Sequence, residues 1–151
     1  MAAQRKASAE WTGDLASGNG TVTAVTSGAF SDLPLSWPAR SEAAAGAKTS
    51  PEELIAAAHA ACFCMALSAG LGKTGHKPER LSVEATSTFE KGDDGFAFTS
   101  IALRVRGDVP GIDDATFKEA AEAASKGCPV SKALKNNVHI SLDAALGVEA
   151  K

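Results

Sequence analysis

The amino-acid sequence predicts an α+β fold, mainly antiparallel sheet around one long buried helix, in a single domain spanning residues 1–151. Three observations carry this expectation. The stretch from Ser50 to Gly72 (SPEELIAAAHAACFCMALSAGLG) is apolar around nearly its whole circumference and, after Pro51, free of Gly and Pro until Gly70. The segments Leu81 to Lys91 and Phe96 to Arg106 alternate with period two on either side of a short turn at Asp93, Asp94 and Gly95. Strand-like and helix-like segments are grouped rather than interleaved, which favours antiparallel pairing. A length of 151 residues suits one ordinary domain with a real core.

From the N-terminus, Lys6 to Thr12 alternates weakly, Gly13 to Gly20 turns, and Gly20 to Ser27 (GTVTAVTS) alternates β-branched with small residues, so a hairpin is expected. Phe30 to Glu42 (FSDLPLSWPARSE) is interrupted by Pro34 and Pro38 and reads as an edge strand with irregular ends or as a loop carrying Trp37 and Arg40. Ala43 to Ser50 is a small-residue connection with the composition of a mobile segment. The long helix then starts cleanly. Ser50 can act as N-cap, Pro51 takes the first helical position, and Glu52 and Glu53 face the positive end of the dipole. Leu54, Ile55, Ala58, Cys62, Phe63, Met65, Ala66 and Leu67 then cover all sides, so burial on every side is expected, and a chain this short needs a second copy to supply it. At about 30 Å the helix matches the diameter of a small domain, and its many alanines argue against a membrane span. Lys73 to Arg80 turns into the two alternating strands. Beyond them Asp113 or Asp114 caps a helix from Ala115 to about Lys126, with Phe117, Ala120, Ala121 and Ala124 as its inner stripe. Gly127 ends it, Cys128-Pro129 opens a short helix to about Leu134, and Val138 to Leu142 closes the chain with a strand.

Composition excludes several function classes. The formal net charge of -3 gives no basic footprint for nucleic acid, and the absence of Tyr, with Phe and Trp scattered, leaves no base-stacking platform. The opening MAAQRKASAEW lacks the apolar core of a secretory signal, so a cytoplasmic protein is expected. In that compartment three cysteines read as reactive or buried thiols more than as structural disulfides.

On a helix Cys62 and Cys64 point roughly 200° apart, so they cannot bridge each other and any disulfide has to use Cys128. Cys128 stands at the N-cap of the helix that starts at Pro129, where unpaired N–H groups lower a thiol pKa. By residue type alone, each cysteine reads first as a small core residue. His59, three residues before Cys62, shares its face and suits either a packed core histidine or a Cys-His nucleophile pair. A metal site from His59, Cys62, Cys64 and Cys128 fails because Cys64 diverges from the other helix ligands. Glu52 and Glu53 read most simply as first-turn acids, and Arg40 as a surface cation.

The blocks SPEELIAAAHAACF and KGCPVSKAL, with WPARSE upstream and VPGIDDATF before the second cysteine, resemble the OsmC/Ohr family of thiol-dependent peroxidases, in its osmotically inducible protein C branch. The likeness runs from EWTGD to the closing strand, and PEELIAAAHAACF together with GCPVS at this separation is a specific signature. The resemblance implies an OsmC-like fold in an intertwined homodimer, two long helices crossing at its centre and active sites at the subunit interface. It implies that Cys62 is the peroxidatic thiolate, Cys128 the resolving thiol that forms a disulfide with it, Arg40 the cation stabilising thiolate and peroxide, and Glu52 the carboxylate that orients Arg40 through a bidentate pair. The implied reaction reduces organic hydroperoxides, and hydrogen peroxide, to alcohol and water in oxidative or osmotic stress. It uses no cofactor and no metal, and a dithiol, either a small thiol or a dihydrolipoyl protein, is the reductant. Neither nucleic acid nor membrane is an expected partner. Helix rise adds a constraint: Glu52 and Cys62 lie ten residues apart, about 15 Å along one helix. An Arg40–Glu52 pair acting beside Cys62 is therefore expected to come, at least in part, from the partner subunit. Two other readings stay open: a Cys-His hydrolase or acyltransferase using Cys62 and His59, and a non-catalytic stress dimer whose interface groove takes up apolar ligands.

Overall fold

The computed structural model describes residues 1–43 and 46–147. Ten elements follow one another: β1 (Ser8–Thr12), β2 (Asn19–Thr23), β3 (Leu33–Leu35), α1 (Trp37–Ser41), α2 (Pro51–Lys73), β4 (Arg80–Gly92), β5 (Gly95–Asp108), α3 (Asp114–Gly127), α4 (Pro129–Leu134) and β6 (His139–Leu146). They divide into two compact units, residues 1–54 and 55–151. The α+β class and the long helix agree with the sequence reading.

In the first unit β1, β2 and β3 pair antiparallel in that order, with Trp11 opposite Gly20 and Gly20 opposite Leu35. The segment broken by two prolines splits in a way the sequence reading did not anticipate. Pro34 sits in the edge strand β3, where its missing N–H costs no ladder bond and its carbonyl accepts the Thr49 N–H at 3.1 Å. Pro38 lies in the first turn of the short helix α1, capped by the Ser36 hydroxyl, which accepts the Ala39 N–H at 3.3 Å. Residues 44 and 45 of the small-residue connection lie outside the described residues. The start of α2 is as expected: the Ser50 hydroxyl accepts the Glu53 N–H at 3.1 Å, and the Thr49 hydroxyl donates to the Glu53 carboxylate at 2.6 Å.

In the second unit β4 and β5 form a long antiparallel hairpin from Arg80 opposite Asp108 to Gly92 opposite Gly95, with a register shift at Thr88 and Phe89. Strand β6 joins β5 in parallel, from Ser100 opposite His139 to Gly107 opposite Leu146, so this sheet is mixed rather than wholly antiparallel. The physical reason is the connection: a crossover through α3 and α4 returns the chain to the end where β5 began, whereas a tight turn would have reversed it. Phe63, Leu67 and Leu71 of α2, Leu103 and Val105 of β5, and Phe117 and Ala121 of α3 make the core. Each of the larger side chains contributes roughly 1.5–3 kcal/mol by leaving water. The Asp113 carboxylate caps α3 by accepting the Thr116 N–H at 2.8 Å.

Burial on α2 follows one stripe, Glu52, Ala56, His59, Phe63, Leu67 and Leu71. Ala57, Ala58, Ala61, Met65, Ser68 and Ala69 are exposed. In the single chain the expected burial on every side is thus met on one side, and the alanine face stays open. By length and composition α2 is apolar enough to cross a membrane, with 28% of its most apolar stretch buried. Its alanine content therefore does not argue against a span. What argues for a core helix is the inner stripe, where buried polar groups are paired within the protein.

Two outcomes follow from this packing. A Cβ at Gly107 meets the Phe117 Cε2 and Cζ atoms at 2.6 Å and Leu81 Cδ2 at 3.2 Å, so Gly107→Ala is expected to cost about 1–3 kcal/mol in urea unfolding; unchanged stability overturns the packing assignment. His59 is wholly buried, and burial holds its imidazole pKa below the ordinary 6.5. Below that value the unfolded chain binds the proton before the fold does, so stability is expected to fall as pH drops from about 7 toward about 5. His59→Gln, which does not titrate, flattens that slope, and equal slopes in the two proteins overturn it. The low-lying carboxylates Asp14, Asp113, Asp114 and Asp143 act in a separate window, below 3.8.

Candidate functional site

The second unit brings two sulfurs together across 66 residues of chain. Cys62 is half-buried in the middle of α2. Cys128 is wholly buried at the joint between α3 and α4 and serves both helices. Its N–H donates to the Ala124 carbonyl at 2.8 Å, ending α3, and its own carbonyl accepts the Lys132 N–H at 3.0 Å, starting α4. The two Sγ atoms are 3.2 Å apart, in hydrogen-bond contact, and both thiols are free. A disulfide bond is about 2.05 Å long, so closure needs about 1 Å of approach. Cys64 is also a free, part-buried thiol, and burial pushes its pKa up.

Burial disfavours the anion at both sulfurs of the pair, but the neighbours differ. At Cys62 burial outweighs the pull of the Val130 N–H, and the adjacent Cys128 pushes the thiol further above its ordinary range. At Cys128 burial is outweighed by the Ser131 N–H, the Cys62 thiol, the Ser131 hydroxyl and the Val130 N–H, which together hold it below. The Cys128 side chain makes no capping hydrogen bond, so these groups act as nearby dipoles. Of the two sulfurs, Cys62 is the one that solvent can reach.

His59 lies one turn before Cys62 on α2, with its Nε2 2.7 Å from the hydroxyl of Ser131 and its Nδ1 without a hydrogen-bond partner among the described residues. The Cys62–His59 pair of a hydrolase is therefore not formed. Among the described residues no three His, Cys, Asp or Glu side chains cluster so as to hold a metal ion.

Arg40 and Glu52 meet in the first unit. The Arg40 Nε and Nη2 atoms both reach Glu52 Oε1, at 2.9 and 2.8 Å, and the guanidinium lies 5.9 Å from the centre of the Trp37 ring. Glu52 is buried, and its Oε2 has no hydrogen-bond partner among the described residues. The pair is thus a fork on one oxygen, unlike the two-oxygen pairing expected, because Arg40 approaches from α1 toward one edge of the carboxylate. Arg40 also borders a small pocket of about 180 Å³ lined by Trp11, Leu15, Leu35, Trp37 and Pro51.

Sequence reasoning missed two contributors. Ser131 stands three residues after a helix-starting cysteine, the spacing at which a hydroxyl returns toward the cap. The helix holding Arg40 was signalled by Ser36 two residues before Pro38.

A family model described as OsmC-like protein matches residues 44–143. The chain is 46% identical to the Peroxiredoxin OsmC of Escherichia coli (strain K12) over 143 residues, 95% of this chain and 96% of that one. It is 33% identical to the Organic hydroperoxide resistance protein of Xanthomonas axonopodis pv. citri (strain 306) over 131 residues, 86% of this chain and 90% of that one. In three dimensions it is similar to the crystal structure of the Organic Hydroperoxide Resistance Protein OhrB of Bacillus subtilis, with a TM-score of 0.72 at 28% identity, covering 92% of this chain and 97% of that one. With this sequence likeness, this fold and this pair of facing thiols, the chain belongs to the OsmC family.

Proposed function

We propose that the protein is a cysteine-based hydroperoxide reductase that converts organic hydroperoxides, and hydrogen peroxide, to alcohol and water. The observation that carries this reading is the contact of two free thiols, one accessible and one buried, at 3.2 Å. The Cys62 thiolate attacks the distal peroxide oxygen, the O–O bond breaks, and the alkoxide leaves and takes up a proton as Cys62 becomes a sulfenic acid. The Cys128 sulfur then attacks the Cys62 sulfur, the S–O bond breaks, hydroxide leaves as water after protonation, and a disulfide remains. A dithiol, either a small thiol or a dihydrolipoyl protein, reopens it by exchange. No metal or organic cofactor enters these steps.

Arg40 and Glu52 have a place in this chemistry because Cys62 needs a cation. Burial and Cys128 push its pKa up, and a guanidinium near the sulfur reverses that balance. We assign that cation to Arg40, aligned by Glu52 and supplied by the partner subunit of a homodimer. The open alanine face of α2, with Met65 66% exposed, supports the dimer, and the unpartnered Glu52 Oε2 suits a site completed by a second chain. The reading extends to a cytoplasmic enzyme of oxidative or osmotic stress defence, with residues 1–151 acting as one domain and without nucleic-acid or membrane partners.

After one equivalent of cumene hydroperoxide, intact mass is expected to fall by about two units in the wild type and to rise persistently by about 16 in Cys128→Ser. Cys62→Ser is expected to consume peroxide no faster than free thiol does. Wild-type consumption by Cys62→Ser overturns the assignment. Mixing inactive Cys62→Ser chains with inactive Arg40→Ala chains is expected to restore activity, since one site of each mixed dimer is intact. No recovery in mixtures that sediment as dimers removes the shared site.

A further inference from the structure

Two rungs join α2 to the start of α4. His59 and Cys62 stand three residues apart on α2, and opposite them stand Ser131 and Cys128, also three residues apart. One rung is the sulfur contact at 3.2 Å and the other is the His59 Nε2 to Ser131 Oγ contact at 2.7 Å. His59 and Cys128 are wholly buried and Ser131 is 4% exposed, so the second rung is shielded from water. The reaction as written above makes no use of it, and a buried imidazole needs a reason.

The direction of the His59 hydrogen bond follows from satisfiability. A buried N–H without an acceptor costs more than a bare lone pair. With Nδ1 unpartnered, the proton belongs on Nε2, and the neutral ring donates to the Ser131 oxygen. Ser131 then keeps its own hydroxyl hydrogen free, and it stands three residues on from Cys128 at the start of α4. That hydroxyl is one of the groups that hold the Cys128 thiol low.

We propose that His59 is a positioning residue for the resolving cysteine: acting through the Ser131 hydroxyl, it keeps the Cys128 sulfur in its deprotonated, attacking form while the disulfide closes. The inference rests on the hydroperoxide reductase reading above. In this step Cys128 loses its proton, its sulfur bonds to Cys62, and the S–O bond of the sulfenic acid breaks. The departing hydroxide and that proton leave as water, Cys128 being oxidised and the sulfenic sulfur reduced. The relay acts after the peroxide has been cleaved, so its loss affects the second step and leaves the first.

The test is rapid-quench mass analysis of the full-length protein with one equivalent of cumene hydroperoxide, which separates gain of oxygen from disulfide closure. In Ser131→Ala and in His59→Phe, closure is expected to slow by about tenfold or more, so the oxygen adduct of about 16 mass units accumulates. Oxygen gain is expected to stay within about threefold of wild type. Ser131→Thr, which keeps the hydroxyl, restores closure, and the double variant is no slower than Ser131→Ala. Wild-type closure rates in both single variants overturn the proposal. So does equal slowing of both steps without rescue by Ser131→Thr, since that is the behaviour of a damaged fold. A wild type that never loses about two mass units defeats the underlying peroxidase reading instead, and with it this inference, before any variant is compared.

Discussion

A helix that is apolar on all sides can leave water on all sides only if something covers each of them. Within one chain, α2 lays a single stripe, from Ala56 through Phe63 to Leu71, against the core, and its alanine face with Met65 is left over. That constraint orders the rest of the molecule. The buried stripe fixes which way His59 points, the boundary of the stripe sets Cys62 half in and half out, and the first turn, with buried Glu52, fixes Arg40. Alanine suits the uncovered side: it costs little while exposed and admits close approach of another backbone when covered.

The two sulfurs illustrate how one small region can give two thiols different surroundings. Both lose solvation and both feel the Val130 N–H, but Cys128 also has the Ser131 N–H and hydroxyl beside it, whereas at Cys62 burial is the largest influence and the neighbouring Cys128 adds to it. Burial works against the anion at both sulfurs, and the local N–H groups and the Ser131 hydroxyl work for it at Cys128. For chemistry that begins at the accessible sulfur, the deficit has to be met by a cation, and for chemistry that ends at the buried one the local dipoles already suffice.

Much of this was legible in the residues themselves. Ser50, Pro51 and the glycines at 70 and 72 bracket the long helix to within a residue or two, and the alternation about Asp93 to Gly95 locates the long hairpin, because caps, turns and period-two patterns are local. The direction of β6 was not legible, since it depends on where α3 and α4 deliver the chain. Helix α1 was hidden because proline breaks a strand and begins a helix with the same chemistry. The facing thiols and the Arg40–Glu52 pair were reached through family likeness, while the His59 to Ser131 contact, spanning 72 residues, carried no local mark at all.

Cys128 ends one helix and begins the next, and this double duty bears on more than electron transfer. A bond from that joint to Cys62 closes a span of 66 residues that contains the whole β4–β5 hairpin and α3. Cross-linking a loop of that length removes roughly 4 kcal/mol of denatured-state freedom in the chain-entropy description. On the proposed chemistry, each cycle alternates between a looser and a stapled form of the same fold. On that chemistry, the form that builds up when reductant runs short is the one that best resists unfolding and digestion by proteases.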